Sequence, residues 1–193
     1  MVEEQLSHVA FAGDSVVAEG SLPAVLTAIK RRFDAGDGPD VLCFEAQTGR
    51  QVDFDLQGSL DDVLARSVPP TRVGPGRPRL GVVAREVSLL PRHWEWLEQQ
   101  PNGASAALRR LVDEARGRDP AFAKARTAKE ACHRFMTAMA GNRPGYEEAI
   151  RSLYAGDEAR FEGQIAAWPE SVTRQVRRLA TDAFSGATSA GAA

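Results

Sequence analysis

A stretch rich in proline, glycine and arginine, SVPPTRVGPGRPRLG at residues 67–81, most restricts how this chain of 193 residues can fold. Its four prolines and three glycines exclude a continuous helix, because proline lacks a backbone N–H donor and glycine loses much conformational freedom in a helix. Such a composition is typical of an extended linker. The sequence therefore predicts separate folded parts on the two sides of this segment.

Charge is distributed unevenly along the chain. Residues 1–66 carry 5 Lys/Arg and 12 Asp/Glu, residues 67–126 carry 11 and 6, and residues 127–193 carry 8 of each. An acidic front, a basic middle and a neutral end indicate segments with different surroundings, although chance variation among solvated surfaces gives the same pattern. No apolar run approaches the ~20 residues of a membrane-spanning helix, and the acidic start is unlike a secretory signal. We therefore expect a cytoplasmic protein with no membrane partner.

Residues 1–66 have the pattern of a small α+β domain. HVAFAG and SVVAEG are strand-like runs around a Gly-Asp turn, and apolar residues at helical spacing follow Ser21. VLCFEA and QVDFDLQG predict two more strands, and SLDDVLAR predicts a capped helix. Alternation in QVDFDLQG places Asp53 and Asp55 on a solvated face, which disfavours a catalytic pair. The order ββαββα is similar to a β-grasp-like sheet with one helix packed across it.

Residues 117–184 predict a helical region and complete an α+β fold class for the chain. Amphipathic spacing marks four helices joined by short connections, which begin near Pro120, Tyr146, Asp157 and Pro169. Helices of this kind form a bundle-like lobe. Residues 185–193 are small and polar, which predicts a disordered tail.

Residues 82–116 predict a strand followed by two helices. REVSLL is a β-prone run, Pro91 suits the first turn of a helix, and PNG separates that helix from a second one capped by Ser105. A unit of this size does not bury its own apolar face, so we expect it to pair with a second copy. The predicted dimer interface consists of the apolar residues Val87, Leu89, Trp94, Trp96, Leu108 and Leu111.

The layout of residues 85–116 resembles a ribbon-helix-helix module, in which two chains pair their strands into a ribbon that enters the DNA major groove. With Val87 facing the core, the resemblance implies that Ser88 faces a base or a phosphate. Two features depart from the family's pattern. Glu86 faces the same phosphates as Ser88, and the doubled leucine before Pro91 shifts the usual register by one residue.

The preceding GPGRPRLG has a Gly-Arg-Pro core that resembles an AT-hook, an extended arm that lies in the narrow minor groove of A·T tracts. The resemblance implies that Arg77 and Arg79 enter this groove and that Pro78 keeps the arm extended. It also implies that Arg85 and Arg92 contact phosphates. A solvated arginine linker is the alternative interpretation of the same residues.

The whole chain is similar to an uncharacterised bacterial family, domain of unknown function 2239. The similarity is carried by GRPRLGVVAREVSLLPRHWEWL, GASAALRRLVDEAR and GNRPGYEEAIRSLYAGD. It implies a bacterial cytoplasmic protein and specifies no activity or site.

Catalytic and metal-binding chemistry has little support in the sequence. The histidines His8, His93 and His133 lack a second ligand pair at metal spacing, and no phosphate-binding loop, nucleophile elbow or dinucleotide fingerprint occurs. Cys43 and Cys132 lie far apart in apolar surroundings, which predicts buried free thiols. We therefore expect no enzyme, cofactor or metal. Two hypotheses follow: a dimeric DNA-binding regulator that binds double-stranded DNA, or a homodimeric protein-interaction scaffold.

Overall fold

The computed structural model describes residues 6–37, 40–68, 85–118 and 120–185. Its N-terminal elements are strands β1 (His8–Ala12) and β2 (Ser15–Gly20), helix α1 (Leu22–Asp34), strands β3 (Val41–Glu45) and β4 (Gln51–Val52), and helix α2 (Leu60–Ser67). Six helices follow: α3 (Pro91–Glu98), α4 (Gly103–Arg118), α5 (Pro120–Ala140), α6 (Tyr146–Ala155), α7 (Glu158–Ile165) and α8 (Glu170–Ala180). The α+β class predicted from the sequence is confirmed.

The four strands form one antiparallel sheet in the order β2-β1-β3-β4. Strands β1 and β2 are joined by a tight turn at Gly13, whose φ of 54° lies in the left-handed region that glycine tolerates. Pairing of β4 with β3 covers only two residues, so the alternating run after Val52 continues without ladder hydrogen bonds. A small antiparallel sheet is thus confirmed, whereas the finer β-grasp-like architecture is not.

Strand β1 is buried on both faces of the sheet. Ala10 packs with Val25 and Ile29 beneath α1, whereas Val9 and Phe11 belong to a second and larger core. A strand can be buried in this way only when other elements cover both faces of its sheet. Helix α1 therefore covers one face, and a different part of the chain must cover the other.

The second face of the sheet packs against α5 through three phenylalanines. Ring centroids of Phe44 and Phe135 are 4.9 Å apart, those of Phe11 and Phe135 are 5.5 Å apart, and all three side chains are fully buried. Separations of this size are typical of favourable aromatic pairs. The same core continues into α6, α7 and α8 through the buried side chains of Leu153, Phe161, Ile165, Val172 and Val176.

The chain divides into two compact units. Residues 1–70 and 121–193 form what we call the sheet–helix unit, and residues 71–120 form what we call the hairpin unit. The sequence had separated an N-terminal domain (1–66) from the helical region (117–184), but in the structure the sheet and α5 to α8 share one core. The predicted linker falls outside the described residues except for Ser67 and Val68, as does the predicted tail except for Ser185.

Helix boundaries follow the local signals in the sequence. Ser59 and Asp62 form a reciprocal capping box at the start of α2, which satisfies two backbone donors that a helix start leaves open. Asp157 accepts from the backbone N–H of Arg160 and caps α7. Gly156, with φ of 76°, ends α6 in the left-handed conformation that glycine tolerates.

Candidate functional site

The hairpin unit consists of α3 and α4 with a short turn between them. Asn102 and Gly103 in this turn have φ values of 67° and 77°, a conformation that asparagine and glycine adopt more readily than other residues. The Gln100 side-chain amide donates to the Trp96 carbonyl oxygen at 3.3 Å, and the Arg110 guanidinium donates to Gln100 Oε1 at 3.3 Å. The two helices are thus joined by polar contacts next to the turn.

The hairpin unit buries little of its own apolar surface. Of the hydrophobic residues that the structure describes within 85–118, two are buried: Leu97 and Ala107. Large apolar side chains exposed by 36% to 54% are Val87, Leu90, Trp94, Trp96, Leu111 and Val112. Trp94 and Trp96 are two residues apart in a helix, so they do not share one side of it. Uncovered apolar surface therefore lies on more than one side of this unit.

These exposed residues include most of the predicted dimer interface. Val87, Trp94, Trp96 and Leu111 are exposed, whereas Leu89 and Leu108 are partly buried. Leu90 and Val112 lie outside the predicted interface, although Val112 belongs to the same apolar stripe of α4 as Leu108 and Leu111. This stripe could have placed Val112 in the predicted interface, because residues three and four apart share a helix face.

The predicted β-run before Pro91 forms no strand within the chain. Residues 85–90 belong to no helix or strand, and those from 85 to 89 make no backbone hydrogen bond to another described residue. Leu90 is extended, with φ of −66° and ψ of 148°, and stands at the N-cap of α3. The ribbon of a ribbon-helix-helix module needs a strand from a second chain, so that pairing stays a prediction.

The residues predicted to bind DNA are only partly described. Arg77, Pro78 and Arg79 lie outside the described residues. Arg85, Ser88 and Arg92 are all exposed. Neither Arg85 nor Arg92 forms an ion pair with a residue that the structure describes.

Both arginine side chains are thus exposed to solvent. The structure also leaves Glu86 exposed in the same short segment. Its carboxylate adds a negative charge close to the two arginines, which weakens attraction to phosphates nearby.

His8 comes closest to an acid–base arrangement. Its Nδ1 lies 2.8 Å from Ser7 Oγ, and burial lowers the pKa of the imidazole although Glu45 on the paired strand opposes this effect. The Glu45 carboxylate accepts from Thr48 and Arg50, and no hydrogen bond among the described residues joins it to His8. A relay needs a third group that orients the base, and Glu45 is engaged elsewhere.

The two thiols and the remaining histidines are dispersed. Burial raises the pKa of Cys43 to about 11 and that of Cys132 to about 12, so both are protonated thiols near neutral pH and react slowly. Both are free and buried, which confirms the prediction made for them. His133 Nδ1 lies 3.1 Å from the Tyr154 hydroxyl. No group of three or more His, Cys, Asp or Glu suited to a metal ion occurs among the described residues.

By its fold, the molecule is an α+β protein with a sheet–helix unit and a hairpin unit, and the hairpin unit exposes apolar side chains. The chain belongs to the bacterial family DUF2239, whose model is described as an uncharacterised protein conserved in bacteria and matches residues 7–180. No curated protein and no solved structure matches the chain. None of the helices within the described ranges has both the length and the apolar character needed to span a bilayer.

Proposed function

We propose that the protein is a non-catalytic, cytoplasmic interaction protein that forms a homodimer through its hairpin unit. The observation that carries this proposal is the exposure of six large apolar residues in α3, α4 and the segment before them. Exposed apolar side chains concentrated in one small unit of a protein are typical of an interaction surface.

A second copy of the chain is the partner that suits this surface best. Residues 85–118, which carry the exposed apolar side chains, hold six arginines and five acidic residues, so these parts of two chains meet without strong net repulsion. The segment 85–89 offers backbone donors and acceptors with no hydrogen-bond partner among the described residues. A twin segment in antiparallel register would satisfy them, as strands do at the edges of sheets.

The mass of the full-length protein in solution tests this proposal. Sedimentation equilibrium is expected to give twice the chain mass of 20.8 kDa. The double variant Trp96→Ser/Val112→Ser should shift the equilibrium towards monomer, because it removes apolar area that the dimer buries. Phe33→Ser is a matched control: Phe33 is 40% exposed but lies in α1 of the other unit. A wild-type protein that stays monomeric at all accessible concentrations would refute the proposal.

Binding of such a dimer to double-stranded DNA is the second candidate function. It is favoured by the composition of residues 67–84, which hold three arginines and no acidic residue, and by the exposed guanidinium groups of Arg85 and Arg92. In this hypothesis Arg77 and Arg79 enter the minor groove, and Ser88 contacts the major groove. The protein would then act as a transcriptional regulator.

Salt dependence separates DNA binding from a pure scaffold. If Arg77 and Arg79 each neutralise a phosphate, then Arg77→Ala/Arg79→Ala should reduce the slope of log K against log salt by about 1.8 for a duplex rich in A·T pairs. Arg31→Ala/Arg174→Ala is the control with the same charge change in the sheet–helix unit. Fluorescence anisotropy at low salt measures both. Absence of duplex binding by the wild type would remove the regulator hypothesis and leave the scaffold.

A further inference from the structure

A cleft of about 190 Å³ lies in the sheet–helix unit between α1 and strands β3 and β4. Helix α1 contributes Ile29 and Phe33, and the strands contribute Val41, Cys43 and Val52. Ile29 and Cys43 are buried at 5% and 3% exposure, whereas Phe33 at 40% marks the opening. The cleft therefore has a buried apolar inner wall and an entrance on the surface.

The size and lining of this cleft suit a compact apolar group. An apolar cavity of about 150 Å³ in another protein stays free of water and binds benzene, so the volume is sufficient for one ring or a branched alkyl chain. A ligand would have to present its apolar part to Ile29, Val41 and Cys43.

One acidic residue, Asp53, also lines the cleft. Asp53 follows β4 directly and is exposed, and its Oδ1 accepts from Gln51 Nε2 at 3.3 Å. It forms no ion pair with a described residue, whereas Asp55 lies 3.4 Å from the Arg66 guanidinium. Besides burial, which is the main cause, the Asp53 charge also raises the pKa of the Cys43 thiol. The negative charge of Asp53 thus acts on Cys43, which lines the cleft, and no cation among the described residues forms an ion pair with it.

We propose that this cleft is a binding site for a small apolar amine. The ring or alkyl body of the ligand packs against Ile29, Val41 and Cys43, and its ammonium group pairs with the Asp53 carboxylate. The cation pairs with the Asp53 charge, and the apolar body covers the apolar side chains of the inner wall. This site is independent of the dimerisation and DNA-binding proposals, because all the residues that line it belong to the sheet–helix unit.

Three ring compounds that differ in charge test the site. Benzylamine, benzyl alcohol and benzoate are titrated into the full-length protein, and NMR shifts are followed at the Ile29 methyls and the Cys43 amide. We expect benzylamine to bind most tightly and benzoate most weakly. Asp53→Asn should weaken benzylamine binding roughly two- to fivefold, the range of a partly exposed ion pair, and should leave benzyl alcohol unchanged. Asp55→Asn, on the same loop, should alter neither affinity.

Reactivity of the Cys43 thiol gives a second measurement. Bound benzylamine should slow alkylation of Cys43 in the folded protein by iodoacetamide. Mass spectrometry of the proteolytic peptide that contains Cys43 measures this rate. Cys132 lies in the other core, so its alkylation rate should not change and serves as an internal reference. Equal binding of the amine, the alcohol and the anion would overturn the assignment of Asp53. Shifts at residues far from the cleft, or no shifts at all, would overturn the site itself.

Discussion

Replacement of Gly49 by alanine tests how the turn between β3 and β4 is held against α5. Gly49 has φ of 63°, and a Cβ atom at this position would lie 2.1 Å from the carbonyl oxygen of Ala131 and 3.0 Å from its carbon. The left-handed conformation costs a residue with a Cβ about 1–2 kcal/mol. Overpacking against a rigid helix backbone costs about 1–3 kcal/mol more. The free energy of unfolding should therefore fall by about 2–5 kcal/mol.

Gly36→Ala is the matched control for this prediction. Gly36 has a similar φ of 74°, but a Cβ there would have no atom within 4 Å. It should therefore lose only the conformational part, about 1–2 kcal/mol. Urea unfolding measures both variants, and the difference between them isolates contact with α5. Equal losses in the two variants would show that the turn does not press on α5.

Three further predictions concern the sheet–helix unit. Burial holds the pKa of His8 below its usual 6.5. The stabilisation from neutral His8 is therefore present above pH 6.5 and is lost as the pH falls through the lowered pKa. His8→Gln should flatten the fall in unfolding free energy between about pH 7.5 and pH 5, and identical pH profiles of the wild type and the variant would contradict this cause. Trp168→Phe should cost about 1–3 kcal/mol in urea unfolding, because the Trp168 indole N–H donates to the Pro144 carbonyl at 2.9 Å; an unchanged midpoint would refute it. A fragment of residues 1–70 should show no cooperative thermal transition by circular dichroism, because its sheet lacks the cover that α5 provides, and a sharp transition would argue against the shared core.

Local elements of the fold could be predicted because their signals lie within a few residues of each other. Ser59 and Asp62 are three residues apart, and this spacing indicated the cap of α2. The alternation in QVDFDLQG correctly indicated that Val52, Phe54 and Leu56 turn away from solvent while Asp53 stays exposed. These signals fix the direction of a side chain relative to its own backbone, and they need no knowledge of the partner.

The shared core could not be read from such signals, because an apolar pattern shows that a face is buried but not what covers it. One clue was nevertheless present: Val9, Ala10 and Phe11 are consecutive apolar residues, and a short continuous apolar run indicates a strand buried on both faces. Treating residues 1–66 as a separate domain left one of these faces without a cover. The cleft beside Asp53 was missed for a similar reason, since its wall joins α1, two strands and a loop.

The contrast between the two units restricts where an interaction with another macromolecule is to be sought. The sheet–helix unit buries phenylalanines on its sheet and continuous apolar faces on α5 to α8. The shorter hairpin unit holds six of the nine exposed large hydrophobic residues found among the described residues. Apolar surface of this kind costs free energy in water and is stabilised when it is covered. The proposed homodimer therefore predicts that dissociation destabilises α3 and α4 before it affects the sheet.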